Sequence, residues 1–468
     1  MRAWLRSVAA GLLLAGSAAA LLAEEPQTTQ QTAPVQLTVD QAVSQALANQ
    51  PLIQQAEAAV EAARARVGEA NSAYYPFVSG NASYNRLSDQ SFALSALLPP
   101  ASTLQQLGIS IPPNIAPLLN SPLSLVPVNM WDFNVGLNQV IFQFGKRGVQ
   151  VKLAENGLSA AQIGVEQIRM SLAFQAAQGF YTVLFLGDQV AALDSQMANL
   201  QEHLEATRVK AQTGTATRYD ELSTEVRIST LQSQRIEAES QLTKQSIALK
   251  QLLGMPESVP LDMHEGFISQ PDALQDQQTL LDLAMQRRPE IRQAVESERA
   301  AELSKRLSVV GGWPTISGHA SIGYKNGILP DINTPALNWV AGVQVNVPIF
   351  EGFLIARQGE EADKRLLAAR ENTLTARRNV TTQVLQAMQD VEAGRQQVQS
   401  AQTQLDQAKE MLEVVKLQYD LGMLSNLEYL DAQAAMERAQ LESLQAQYRE
   451  VLSEYALKQA TGAAIWQP

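Results

Sequence analysis

The sequence predicts an α+β membrane protein made of two tandem copies of one unit, each joining two amphipathic β-strands to a long α-helical hairpin. Three observations lead there. The second half of the chain repeats the first at a fixed spacing. Four segments of about ten residues alternate apolar and polar side chains, the pattern of strands with one face in lipid. Two proline-free stretches carry apolar residues at every seventh position, as a coiled-coil seam does.

The repeat reads residue against residue. Pro51-Leu52-Ile53 answers Pro289-Glu290-Ile291, and Tyr75-Pro76 answers Trp313-Pro314, both 238 positions on. From Trp131 and Trp339 onward the spacing is 208: Ile141-Phe142 matches Ile349-Phe350, Gly214 matches Gly422, Leu222 matches Leu430, and Leu253-Gly254 matches Thr461-Gly462. The whole 30-residue difference falls in one loop, residues 88–129. Such constancy marks a duplication. It divides the chain into repeats at 24–254 and 279–462, a linker at 255–278 and a tail at 463–468.

At the N-terminus, Arg2 and Arg6 precede an apolar run from Val8 to Leu14, and Ala18-Ala19-Ala20 follow. This is the layout of a secretory signal peptide over residues 1–23, with cleavage after Ala20 or Ala23. The run is too short to cross a bilayer as a helix. Overall, 35 Lys+Arg stand against 47 Asp+Glu, a net charge of −12, with no basic face to neutralise phosphates. That excludes a nucleic-acid partner. The absence of cysteine excludes disulfides, thiolate metal sites and a lipidated N-terminal Cys.

Each repeat should open with one amphipathic helix, 38–72 and 279–309. Strands follow at about 76–87 and 130–142, then at about 314–325 and 337–350. In the first half Trp131, Phe133, Val135, Leu137 and Ile141 share one face, and Asp132, Asn134, Gly136 and Asn138 the other. In the second, Leu337, Trp339, Ala341, Val343, Val345, Val347 and Ile349 oppose Asn338, Gly342, Gln344 and Asn346. A half-buried strand of a soluble sheet alternates in the same way. Four such strands, the terminal aromatics Tyr84, Trp131, Tyr324 and Trp339, and a secretory signal together favour an outer-membrane barrel. Four strands cannot close, and unpaired edges in hydrocarbon are costly. Subunits must therefore pool strands; a dimer with eight and a trimer with twelve both satisfy this. Residues 88–129, with Pro99-Pro100, Pro112-Pro113, Pro117, Pro122 and Pro127, would lie at the outer mouth as a lid or a plain loop.

Next, residues 146–213 hold no proline and would span roughly 100 Å as one helix at 1.5 Å per residue. Residues 355–421 match them. Val384, Val391, Val398, Leu405, Leu412 and Tyr419 recur at seven, with Ala387, Gly394, Ala401 and Ala408 three further on. Val183, Val190, Met197 and Leu204, beside Leu186, Leu193 and Leu200, fill these places in the first half. Return helices at 217–253 and 425–461 place Leu427, Ala434, Leu441, Tyr448 and Tyr455 at the same interval. The linker, with Pro256, Pro260 and Pro271, shows no periodicity and reads as an irregular connection on the outside, at the equator of the helical body.

Certain segments also resemble the TolC-like outer-membrane efflux proteins, the outer-membrane factors of tripartite efflux or type I secretion systems. They are the opening Leu37-Thr38-Val39-Asp40-Gln41-Ala42-Val43, Tyr75-Pro76, and the hairpin tips Gly214-Thr215-Ala216-Thr217-Arg218-Tyr219-Asp220 and Gly422-Met423-Leu424-Ser425-Asn426-Leu427-Glu428-Tyr429-Leu430-Asp431. The resemblance implies a homotrimer with a 12-strand β-barrel in the lipid of the outer membrane and a twelve-helix α-barrel in the periplasm. It implies a passive exit duct for small molecules or ions, or for secreted proteins, served by a periplasmic adaptor and an inner-membrane pump or ABC exporter. Gly214, Thr215, Ala216 and Thr217, with Gly422, Met423, Leu424 and Ser425, would be the tips on which the adaptor docks. Glu428 and Asp431 match ring carboxylates that constrict the pore. Asp220 and Tyr419 match a gate contact between the hairpins, although Leu424 stands where the family usually has an assisting Arg.

No catalytic set is expected, nor a cofactor or metal. His203, His264 and His319 fall on a helix, the linker and a strand, and read as core or solvated histidines. Outside the channel class, a periplasmic coiled-coil adaptor would need a β-rich module beside its hairpin, and a structural or adhesive outer-membrane protein would not conduct.

Overall fold

The computed structural model describes residues 35–465 apart from 89–91, 94–96, 114, 116, 118–121, 124–125, 264–265, 268–275 and 329–330. The signal peptide, His264 and residues 466–468 of the tail lie outside the described residues.

The first repeat runs β1 (Val35–Leu37), α1 (Val39–Asn49), α2 (Pro51–Ser72) and β2 (Phe77–Arg86), then β3 (Phe92–Ala93), α3 (Ala101–Gln106), β4 (Pro122–Leu123) and β5 (Asn129–Phe142). Its hairpin is α4 (Lys146–Gln212) and α5 (Arg218–Leu253). After β6 (Leu261–Met263) the second repeat has α6 (Gln277–Arg287), α7 (Pro289–Gly311), β7 (Thr315–Lys325) and β8 (Ala336–Asn346). Its hairpin is α8 (Leu354–Asp420) and α9 (Asn426–Thr461). In the hairpins the duplication is preserved to the residue: α4 and α8 each have 67 residues, α5 and α9 each 36.

β2, β5, β7 and β8 form one antiparallel sheet in that order, with β2 and β8 at its edges. The register aligns the faces read from sequence. Gly80, Val135, Ile322 and Trp339 form one cross-strand row; Ala82, Phe133, Tyr324 and Leu337 form the next. On the other face Asn81, Asn134, Gly323 and Asn338 align. Phe133, Val135, Ile322, Trp339, Val343 and Val345 are all exposed, so the apolar face has no cover within the protomer. No helix among the described residues is long and apolar enough to cross a membrane.

Three expectations are corrected. The opening helices are each two. Pro51 and Pro289 lack an N–H, and the preceding Gln50 and Arg288 turn extended (ψ 122 for both), so the chain restarts a helix with proline at its first position. The linker is not wholly irregular: β6 pairs in parallel with β1, Val35 opposite Leu261. Met255, Leu261, Met263 and Phe267 also pack on the core around Phe180. Finally, the seam that α9 turns to α8 is not the row of Leu427, which is exposed. The buried row is Ala432, Ala439, Ala446 and Ser453, again at intervals of seven, with Ala439 packed on Leu405 and Ala408 of α8 and Ser453 beside Gly394. Small side chains allow the backbones to close up where Gly394 meets Glu450. Tyr448 and Tyr455 turn instead toward α4, against Phe185 and Tyr181.

Candidate functional site at the hairpin tips

Both tips are built alike. α4 ends at Gln212 with Thr213 as its cap, and Gly214 takes φ 78, a left-handed conformation that a Cβ would strain. The N–H of Thr215 then donates to the Lys210 carbonyl at 2.9 Å. In the second tip Gly422 takes φ 74, and the N–H of Met423 donates to the Gln418 carbonyl at 2.9 Å. Each return helix starts with a capping box, Thr217 with Asp220 and Ser425 with Glu428. Thr215, Thr217, Met423 and Ser425 are exposed, while Ala216 and Leu424 are half-buried.

Glu428 therefore has a local task. Its Oε2 accepts from the Ser425 N–H at 2.7 Å and the Ser425 hydroxyl at 2.8 Å. These bonds, the backbone one first, hold its carboxyl below the usual carboxylate range. Asp431, one turn on, is exposed beside it. Asp220 repeats the geometry, accepting from the Thr217 N–H at 2.8 Å and hydroxyl at 2.7 Å. Its carboxylate thus turns back on its own helix.

What joins the two hairpins is a buried cluster that sequence reasoning left out of the site. Asn426, at the start of α9, donates through Nδ2 to the Asp220 carbonyl at 3.0 Å, Ser223 Oγ at 3.2 Å and Thr224 Oγ1 at 3.3 Å, all on α5. Its Oδ1 lies 2.7 Å from His203 Nε2 on α4. Because Nδ2 is committed to acceptors, Oδ1 must accept, which places the hydrogen on Nε2. The His203 ring stacks on Tyr429 (centroids 4.0 Å apart) and lies 5.1 Å from the ring of Tyr419. The Tyr419 hydroxyl is 3.5 Å from Thr207 Oγ1, and Lys210 Nζ sits 4.0 Å over the Tyr419 ring while 3.7 Å from Asp420. Asp220 and Tyr419 therefore belong to one junction, Asp220 through its carbonyl and Tyr419 through its ring. Burial drives the His203 pKa down, against the hydrogen bond that the ring donates to Asn426. A signal for this cluster was present: Leu193 and Leu200 are followed at the next seam position by Thr207, a polar residue where the pattern calls for Leu. A second link lies higher, where Arg227 on α5 pairs with Glu437 on α9. Burial raises the Glu437 carboxyl, opposed by Arg227.

The family model for the outer membrane efflux proteins matches residues 42–255 and again 280–463, one match per repeat. The chain belongs to that family. As an outer membrane efflux protein it resides in the outer membrane. Its fold is that of solved channels. The Campylobacter jejuni CmeC outer membrane channel superposes with TM-score 0.75 at 19% identity, over 91% of this chain and 86% of that one. The outer membrane protein VceC of Vibrio cholerae gives 0.74 at 16% identity, over 91% and 96%. The open state of the Neisseria gonorrhoeae MtrE outer membrane channel gives 0.74 at 18%, over 92% and 91%. No match emerges among curated protein sequences.

Proposed function

We propose that three copies of this efflux protein pool their sheets into a 12-strand barrel and form a passive exit duct, fed by a periplasmic adaptor and an inner-membrane pump. One observation carries the reading: a four-stranded sheet with a continuous exposed apolar face and two unpaired edge strands, β2 and β8. In hydrocarbon each open N–H and C=O would be costly, and joining β8 of one copy to β2 of the next removes every edge. The polar face, with Asn81, Asp132, Asn134 and Asn338, then lines water.

Below the membrane, α4 and α8 supply a tunnel roughly 100 Å long. The adaptor docks on the exposed tips around Gly214 and Gly422. Glu428 and Asp431 from three copies ring the narrow end and favour cations. Asp220 and Tyr419 take part in the gate through the Asn426 junction. The cargo is small molecules or ions, or a type I secretion substrate. Planar-bilayer recording of the purified protein tests the duct, together with the mass of the detergent-solubilised assembly. Cation-preferring conductance from a trimer is expected; a silent or monomeric protein overturns it.

A further inference from the structure

Between the hairpins lies a buried histidine, hydrogen-bonded across the junction, that the duct reading leaves unused. We propose that His203 is a proton-sensitive positioning residue: while neutral it latches the first hairpin to the second through Asn426, and on taking up a proton it releases them. The proposal rests on the gated-duct reading and adds what controls the gate.

The latch is defined by geometry. Asn426 bonds α9 to both helices of the first hairpin, to α5 through Asp220, Ser223 and Thr224 and to α4 through His203. All four helices meet here, since Tyr419 of α8 packs on the His203 ring. Nε2 already carries a hydrogen that it donates to Asn426, so an incoming proton must go to Nδ1. The charged imidazole would then be enclosed by Tyr419, Tyr429 and Thr207, with His203 only 8% exposed. The charges facing it come from every packed element. α4 brings Lys210, and α8 brings Lys416 and Asp420. Lys210 sits 3.7 Å from Asp420 and offsets that carboxylate, and Glu202 on α4 acts on the neighbouring Tyr429. From α5 and α9 the cluster receives the neutral groups of Ser223, Thr224, Asn426 and Tyr429, and the Asp220 carboxylate is occupied by Thr217. The tyrosine faces favour a cation, but burial outweighs them, and the pKa of the latched state falls below that of a free histidine.

The sign follows. A histidine lowered in the latched state and ordinary in the released state, about 6.5, leaves the latch intact above that value. Its strength is lost as pH falls from there toward the lowered pKa, by at most about tenfold per protomer per pH unit.

The chain has no cysteine, so Gln212→Cys and Leu421→Cys, both exposed, place one spin label on each hairpin without competing sites. Pulsed dipolar spectroscopy of the full trimer in lipid reads hairpin separation at pH 7.5 and pH 5.5. The otherwise native protein should shift toward longer distances at pH 5.5, by several-fold in population. His203→Gln, which keeps an N–H for Asn426 but takes up no proton, should give the same distribution at both values. Asn426→Ala should be separated at both. Distances that ignore pH in the native background, or His203→Gln moving as the native protein does, overturn the latch. Conductance recorded on the same samples keeps the two readings apart. Should even the separated Asn426→Ala protein be silent, the duct reading fails, whereas conductance without a His203-dependent shift sinks only the latch.

Discussion

Replacing Gly394 with alanine tests the close seam between α8 and α9. An ideal Cβ there would lie 3.2 Å from Glu450 Cα and 3.5 Å from both Glu450 Cβ and Ser453 Oγ. The nearest atom is backbone and cannot swing aside, so the two helices must part by a few tenths of an ångström. Overpacking of this kind costs about 1–3 kcal/mol. Against it stands the gain of about 1 kcal/mol when alanine replaces glycine inside a helix. The net expectation for Gly394→Ala is a loss of up to about 2 kcal/mol. Gly157, within α4, has nothing within 4 Å of its hypothetical Cβ. Gly157→Ala should gain about 1 kcal/mol from the same propensity term. Thermal unfolding of the two variants beside the unmodified protein compares them, and the opposite signs form the readout. If Gly394→Ala stabilises as much as Gly157→Ala, the account of a seam tightened by small residues is wrong.

Other perturbations address the membrane face, the rim and the second link. Val343→Lys, on the apolar face, should cost about 2–4 kcal/mol at the bilayer midplane and deplete trimer from outer membranes, whereas Gln344→Lys, facing the lumen, should assemble; equal assembly would reject the assigned faces. Asp431→Asn should lower cation preference in reversal-potential measurements, and unchanged selectivity would remove it from the pore. Because Glu428 is held below the usual carboxylate range, its charge and its cap persist above about pH 4.3 and are lost only as pH falls through its lowered value. Selectivity of Asp431→Asn should therefore survive mild acid, and loss near pH 5 would contradict that. Arg227→Met strands the buried Glu437 and should cost about 2 kcal/mol, less than a fully buried pair because Arg227 is partly exposed. Adding Glu437→Gln should restore most of the unfolding midpoint; a double variant no better than the single would refute the pairing.

The sequence made the long elements legible because each rests on a strong period. The alternation from Trp131 to Ile141 predicts β5, and the sevenfold spacing from Val384 to Tyr419 predicts the buried face of α8, with boundaries off by about one residue. Several features escaped because short-range chemistry decides them. The restart at Pro51 keeps the apolar period, so periodicity alone runs through it. β6 spans only Leu261–Met263 and is fixed by a partner more than 200 residues away. The buried row of α9 is alanine and serine, which a search for large apolar residues passes over. At the tips, the glycines and caps were readable from local motifs. The His203–Asn426 bond spans helices from different repeats, and only packing brings the two residues together.

Helices of equal length in the two repeats impose a rule of inheritance on this architecture. Removing one heptad from α4 alone would raise its tip by roughly 10 Å relative to that of α8, leaving a ragged rim. It would also leave α5 too long for its partner. A viable change in reach must therefore strike both ascending and both descending limbs together. Point substitutions can drift independently in the two halves, as Leu253 and Thr461 have done. Length cannot, and that is why the second hairpin still aligns with the first without a gap after their sequences have diverged.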